Sequence, residues 1–254
     1  MRRSITHTLL ITCALLLFSC KTQYLPATIE SQNISVSESL NDLDHQLVQL
    51  YLPFKNILDK DMDRVISVSE MEMQKGRPES FLTNFLGDLL LQEGKKEFVK
   101  LGLEKEPAIS YFNYGGIRSF LPKGEITVGK IFELMPFENE MVFLQLTGNQ
   151  IQEFLNIIAE KGGGCVAGAR FNISNKKAEN ILIKGDILKS NSKYWLVTND
   201  YVADGGDGFE VFTKRVEFAN SRIKIRDVII SYLEDKQEKG EVITAKLDGR
   251  IVNE

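Results

Sequence analysis

Apolar and polar positions recur along this chain with two periods, and the switches between them mark out most of its elements. From Leu40 onward, Leu43, Leu47, Leu50, Tyr51, Phe54, Ile57 and Leu58 share one face at helical spacing, which predicts a helix packed on a core. Residues 65–69 (VISVS) alternate with period two, as a strand does. Pro78-Glu79-Ser80 opens a second helix that carries Phe81, Phe85, Leu86, Leu89 and Leu90. Short apolar runs at 108–112, 142–146 and 194–198 predict buried strands, and 150–161 and 223–233 predict amphipathic helices. No segment repeats. The elements do not alternate cleanly enough for a doubly wound parallel sheet, so the expected class is α+β, a mixed sheet with flanking helices.

The amino end changes this picture. Arg2 and Arg3 precede an apolar run from Thr8 to Phe18, and Leu17-Phe18-Ser19-Cys20 resembles a bacterial lipobox. The run is short of the roughly 20 residues that a membrane span needs. Residues 1–19 therefore read as a lipoprotein signal peptide, 20–37 as a lipidated Cys20 with a polar tether, and 38–254 as one domain. The alternative is an ordinary signal with a chance cysteine. After cleavage only Cys20 and Cys165 remain, and with lipid on Cys20 no structural disulfide is expected. The expected location is the bacterial cell envelope, lipid-anchored, either periplasmic or surface-exposed.

Composition adds limits. With 43% hydrophobic residues in 254, the chain can bury a real core, and a net charge of −4 with interspersed signs excludes a basic stripe for nucleic acid.

Candidate chemistry gathers in three loops. The run 199–209 (NDYVADGGDGF) places aromatics, carboxylates and glycines directly after an apolar strand. Gly205, Gly206 and Gly208 can hold Asp207 at a tip, while Tyr201 and Phe209 offer flat faces. A structural glycine turn is the bland alternative. A calcium loop fits poorly, since Tyr201, Val202 and Ala203 interrupt any alternating series of oxygen ligands. The second loop, 113–118 (NYGGIR), sets Asn113 and Arg118 around Gly115 and Gly116; the third, 134–139 (LMPFEN), carries Phe137. Each has a local reading too: a turn asparagine, a surface ion pair for Arg118, a core phenylalanine. The run 162–167 (GGGCVA) fits a dinucleotide pattern formally, but it follows a helix instead of opening one, and reads as a helix stop with entry to a hairpin. Cys165 has no histidine near it in sequence and reads as a thiol without a nucleophilic role.

In that order, with residues 141–148 (MVFLQLTG) and a helix after them, the three loops resemble the C-terminal substrate-binding domain of the 5′-nucleotidases over roughly residues 78–251. The resemblance implies a nucleoside site. Phe137 and Tyr201 would sandwich the base, Asn113 would meet its edge, Asp207 would take the ribose hydroxyls, and Arg118 would face phosphate or ribose oxygens. Arg77 lies near where the family places another ligand-contacting arginine. Two departures stand out: the family commonly has phenylalanine where this chain has Tyr201, and a small residue with glycine after the serine where this chain has Phe81, Leu82 and Thr83. The second leaves the register of Arg77 open.

The family joins this domain to an N-terminal metallophosphoesterase domain whose two metals are held by aspartates, an asparagine and several histidines. Here there are two histidines, His7 in the signal segment and His45 alone in a helix. That inventory cannot build the family's two-metal centre. The expectation is a chain with no catalytic residue, metal or cofactor of its own, binding a nucleoside 5′-phosphate or nucleoside while a separate metallophosphoesterase polypeptide carries the divalent metals. The runner-up is a non-enzymatic nucleoside-binding or nucleotide-binding lipoprotein; a third reading is a degenerate domain kept for protein interaction.

Overall fold

The computed structural model describes residues 31–33 and 44–254. Contacts divide the chain at residue 50 into two units, and every strand lies in the second, 51–254. Cys20, His7, Leu40, Leu43 and most of the 20–37 tether lie outside the described residues.

In chain order the elements are α1 (His45–Met62), β1 (Val65–Ser69), α2 (Phe81–Lys100), β2 (Ile109–Phe112), β3 (Gly124–Thr127), α3 (Val128–Leu134), β4 (Glu140–Thr147) and α4 (Gly148–Glu160). There follow β5 (Cys165–Ala167), β6 (Ala169–Ser174), β7 (Lys177–Ile183), β8 (Asp186–Ile187), β9 (Lys193–Asn199), α5 (Asp200–Ala203), β10 (Glu217–Lys224), α6 (Ile225–Glu238) and β11 (Ile251–Asn253). Local chemistry sets several boundaries. Ser80 caps α2 by accepting from the Thr83 N–H, and Thr147 with Gln150 forms a capping box that starts α4.

A five-stranded sheet in the order β10-β4-β9-β2-β5 forms the centre; a four-stranded sheet β11-β6-β7-β8 and the pair β1-β3 complete the α+β architecture. The inner strands β4, β9 and β2 are covered on both faces, so they are apolar runs whose alternate residues enter different cores, while edge strand β10 has no buried residue. Met141 and Phe143 of β4, with Trp195 and Val197 of β9, pack with Phe98 of α2 and Ile229 of α6. Val142, Leu144 and Leu196 face the other way, toward Phe154 of α4, Phe171 of β6 and a cluster of rings. Cys165 is fully buried and its thiol is pushed above the ordinary range by that burial, as befits a packing residue.

Register gathers the three loops. Within the central sheet only β2 and β9 run parallel, with Ile109 opposite Leu196 and Ser110 opposite Val197. Both strands therefore end at one edge, where Asn113 leaves β2 and Asn199 closes β9. Antiparallel β4 begins there, with Met141 opposite Asn199, so the segment just before β4 joins the other two.

One expectation is corrected. The face of α1 was expected in the core, yet none of its residues is buried: Phe54 is 67% exposed and Ile57 65%. Helical spacing reports that a helix has an apolar side; it carries no information on what covers that side. No helix among the described residues is long and apolar enough to cross a membrane. Because Ile57 is largely exposed, Ile57→Glu should change the unfolding free energy measured in urea by less than about 0.5 kcal/mol. A loss of about 2 kcal/mol or more, typical of a buried aliphatic side chain, would return α1 to the core.

Candidate functional site

At that sheet edge the three loops enclose a cleft of about 400 Å³. The loop after β2 contributes Asn113, Gly115, Gly116 and Arg118; the segment before β4 contributes Phe137 and Asn139; the loop after β9 contributes Tyr201 and Asp207. Phe137 and Tyr201 are 41% and 48% exposed, so neither ring serves the core. Two accessible aromatic faces in one cleft can take a flat apolar ligand between them. A groove of equal volume between α2 and α6 lacks this feature, because its Phe85 is buried.

The turn after β9 is built around Asp207. Asp207 adopts φ 55°, a left-handed conformation that costs a non-glycine residue about 1–3 kcal/mol and tends to occur at functional sites. Both carboxylate oxygens are engaged: Oδ2 accepts from the Asn113 side-chain amide at 3.0 Å and Oδ1 from the Tyr201 hydroxyl at 3.1 Å. Each retains lone-pair capacity for a ligand hydroxyl. Gly206 lets the Tyr201 ring close over the turn, since a Cβ there would sit 2.6 Å from ring carbons. Gly205 lines a shallower depression beside the cleft, and Gly208 lines neither.

Phe209 departs from the sequence reading. It is fully buried, packed on Tyr111 at a centroid distance of 4.8 Å and stacked on Phe212 at 5.5 Å, and it anchors the loop from below. An aromatic two residues after a loop tip reads as ligand-facing in sequence, but the backbone turns it under.

Among the described residues Arg118 makes no ion pair; its guanidinium donates to the Gly115 carbonyl at 3.2 Å. Arg77 is not among the residues lining the cleft. Its guanidinium lies over the Tyr114 ring, 4.2 Å from the centroid, and the Lys75 amine approaches the same ring at 4.7 Å. Burial, then Arg118 and Arg77, hold the Lys75 amine below its ordinary pKa, which places three cations close together. Among the described residues none of the three pairs with a carboxylate. Such a group is suited to an anion.

Asn139, Lys75 and Arg226 were not expected at the site. Asn139 ends the segment that contains Phe137, a signal that was available, and its amide donates to Asp200 at 2.8 Å. Arg226 of α6 gave no signal, being remote in sequence. Buried, it lies over the Phe132 ring at 4.0 Å, bonds the Glu138 carboxylate and donates to the Phe137 carbonyl at 3.4 Å. Lys224 also bonds Glu138.

Hydrogen bonds from Lys224 and then Arg226 hold the Glu138 carboxyl down from its ordinary value of 4.5 to about 2. A carboxyl whose folded-state pKa is depressed contributes fully above its ordinary value and loses that contribution as pH falls toward the folded one. Titrating the carboxyl carbons by NMR should show Glu138 with a midpoint near 2, and the Phe137 ring signals should shift with it. A midpoint near 4.5 would mean that this clamp does not hold the loop in solution.

The family described as 5′-nucleotidase, C-terminal domain matches residues 62–214. The trifunctional nucleotide phosphoesterase protein YfkN of Bacillus subtilis is 30% identical over 78% of this chain and 14% of that protein. The cell wall protein Lmo0130 of Listeria monocytogenes is 29% identical over 66% of this chain and 23% of that protein. Among solved structures, a 5′-nucleotidase precursor from Thermus thermophilus superposes with a TM-score of 0.67 at 28% identity, covering 81% of this chain and 42% of that one. The chain spans less than half the length of each of these proteins. All three loops of the cleft fall inside the matched stretch, and the chain belongs to the 5′-nucleotidase C-terminal domain family.

Proposed function

We propose that this chain is the nucleotide-recognition subunit of a split 5′-nucleotidase, binding the base and ribose of a nucleoside 5′-phosphate while a separate metallophosphoesterase chain hydrolyses the phosphate. One observation carries the recognition half: two exposed rings, Phe137 and Tyr201, flank the same cleft as the Asp207 carboxylate. A base is a flat π surface that stacks between rings, and a ribose diol is matched by a carboxylate acceptor. Arg118, with Lys75 and Arg77 beside it, suits the phosphate end.

Two observations support a catalytic partner. With His7 and His45 as its two histidines, the sequence does not fit the family's two-metal centre, and no step of hydrolysis is drawn through a metal on this chain. The exposed apolar face of α1, with Tyr51, Phe54, Ile57 and Leu58, is the kind of surface that a partner covers. The chain's contribution would be proximity, with base and ribose held so that the phosphate meets the partner's site in one orientation. The Listeria relative is named a cell wall protein, which supports an envelope location; the lipid anchor at Cys20 rests on the lipobox-like run 17–20 alone.

Binding tests the recognition half. In calorimetric titrations with adenosine, Phe137→Ala or Tyr201→Ala should weaken affinity by about 1–3 kcal/mol, the range for base–aromatic stacking. Asp207→Asn should weaken adenosine by about 1.5–3 kcal/mol and spare adenine. Equal adenosine affinity in wild type and all three folded variants would refute the site.

Turnover tests the split. The pure chain should not hydrolyse AMP with divalent metals added, and hydrolysis should appear with a co-encoded metallophosphoesterase chain and fall with Phe54→Glu. Chelator-sensitive hydrolysis by the pure chain would overturn the split. Nucleoside binding with no turnover under either condition would instead favour a non-enzymatic binding lipoprotein.

A further inference from the structure

We propose that Asn199 is a positioning residue for the cleft: its amide fixes the direction of a buried hydrogen-bonded relay that ends on the Asp207 carboxylate. The proposal rests on the nucleoside reading for its effect on binding, though not for its geometry.

Asn199 is 1% exposed and Asn113 6%, so both amides depend on protein partners. Asn199 Oδ1 accepts from the Val202 backbone N–H at 2.8 Å, capping α5. Because that N–H can only donate, the Asn199 NH₂ must face the other way, where it donates to Asn113 Oδ1 at 2.8 Å. With its oxygen so engaged, Asn113 turns its NH₂ toward Asp207 Oδ2 at 3.0 Å. A carboxylate only accepts, so the relay is fixed at both ends and neither amide can flip without opposing two donors or two acceptors.

The surroundings keep the relay in place. A Cβ on Gly116 would lie 2.6 Å from Asn113 Oδ1, so the missing side chain is the room the amide occupies. Beyond Asp207, the Tyr201 hydroxyl donates to Oδ1 and accepts from the Asp207 N–H at 3.3 Å, tying the stacking ring to the same carboxylate. The left-handed Asp207 needs such restraint, and its donor from Asn113 is available only while Asn199 donates in turn.

The competing account is that Asn199 merely caps a four-residue helix. Asn199→Asp separates the two, since aspartate caps as well as asparagine but offers no donor. It would set an acceptor against Asn113 Oδ1, and relieving that by turning the Asn113 amide would set its oxygen against Asp207. The expected result is a roughly tenfold weaker affinity for adenosine, about one charge-assisted hydrogen bond. Adenine binding, followed by chemical-shift perturbation, should be affected less than adenosine binding, while the buried carboxylate lowers the thermal midpoint. Placed in an Asp207→Asn background, the substitution should cost nothing further for adenosine. A ligand-independent readout accompanies these: the Asn113 side-chain NH₂ should exchange slowly with solvent in the wild type and markedly faster in Asn199→Asp. Unchanged exchange with unchanged adenosine affinity would leave Asn199 a cap only. Equal loss of adenine and adenosine binding would make its role general to the fold. If the wild type binds no nucleoside, the nucleoside reading fails, and the exchange comparison alone decides for or against the relay.

Discussion

The parallel pairing of β2 with β9 is the constraint on which the site depends. Ile109 opposite Leu196 brings two strand ends to one edge of a sheet that is otherwise antiparallel, and the opposite polarity of β4 delivers its entering segment there as well. Loops that are far apart in sequence thereby share one cleft. The pairing is itself held by burial on both faces, where a one-residue slip would exchange the Phe112 side of β2 for its Ile109 and Tyr111 side, or the Trp195 and Val197 side of β9 for its Leu196 side. Moving Asn113 away from Asn199 would require breaking two cores.

On that scaffold the cleft divides its chemistry by loop. Rings come from the segment before β4 and the turn after β9, the carboxylate from the turn after β9, and cations from the loop after β2 with Arg77 and Lys75 beside it. Phe137 is held indirectly: Arg226, reaching from α6 across the Phe132 ring, binds both the carbonyl of Phe137 and the side chain of the next residue. Buried charge serves here to place a backbone segment, which a purely apolar contact would leave free to slide. The cleft is thus preorganised from both sides, which lowers the ordering cost of binding.

The exposed face of α1 has a different character. Its apolar stripe has no buried residue, and Tyr51, Phe54, Ile57 and Leu58 are exposed. Exposed apolar faces of this kind mark interaction surfaces, and this helix ends where the family match begins, at residue 62.

Much of this was legible in the sequence because the signals are local. Period-two and period-3.6 patterns located β1, β4, β9, α2 and α4, and glycine-rich turns after apolar strands marked two of the three cleft loops. The order of those loops was enough to suggest the family. β7 and β8 escaped, since their exposed polar residues dilute the alternation, and β6 escaped although Ala169, Phe171 and Ile173 alternate inward, its run being only six residues long. Phe209 and α1 were misread for a common reason: the sequence by itself determines that a residue or face is apolar, while which surface covers it is decided by long-range packing. Distant side chains behave likewise. Arg226 lies far along the chain from Glu138, and Asn199 from Asn113; only the register of a doubly covered sheet brings such groups within hydrogen-bond reach, because that distance depends on every element packed between them.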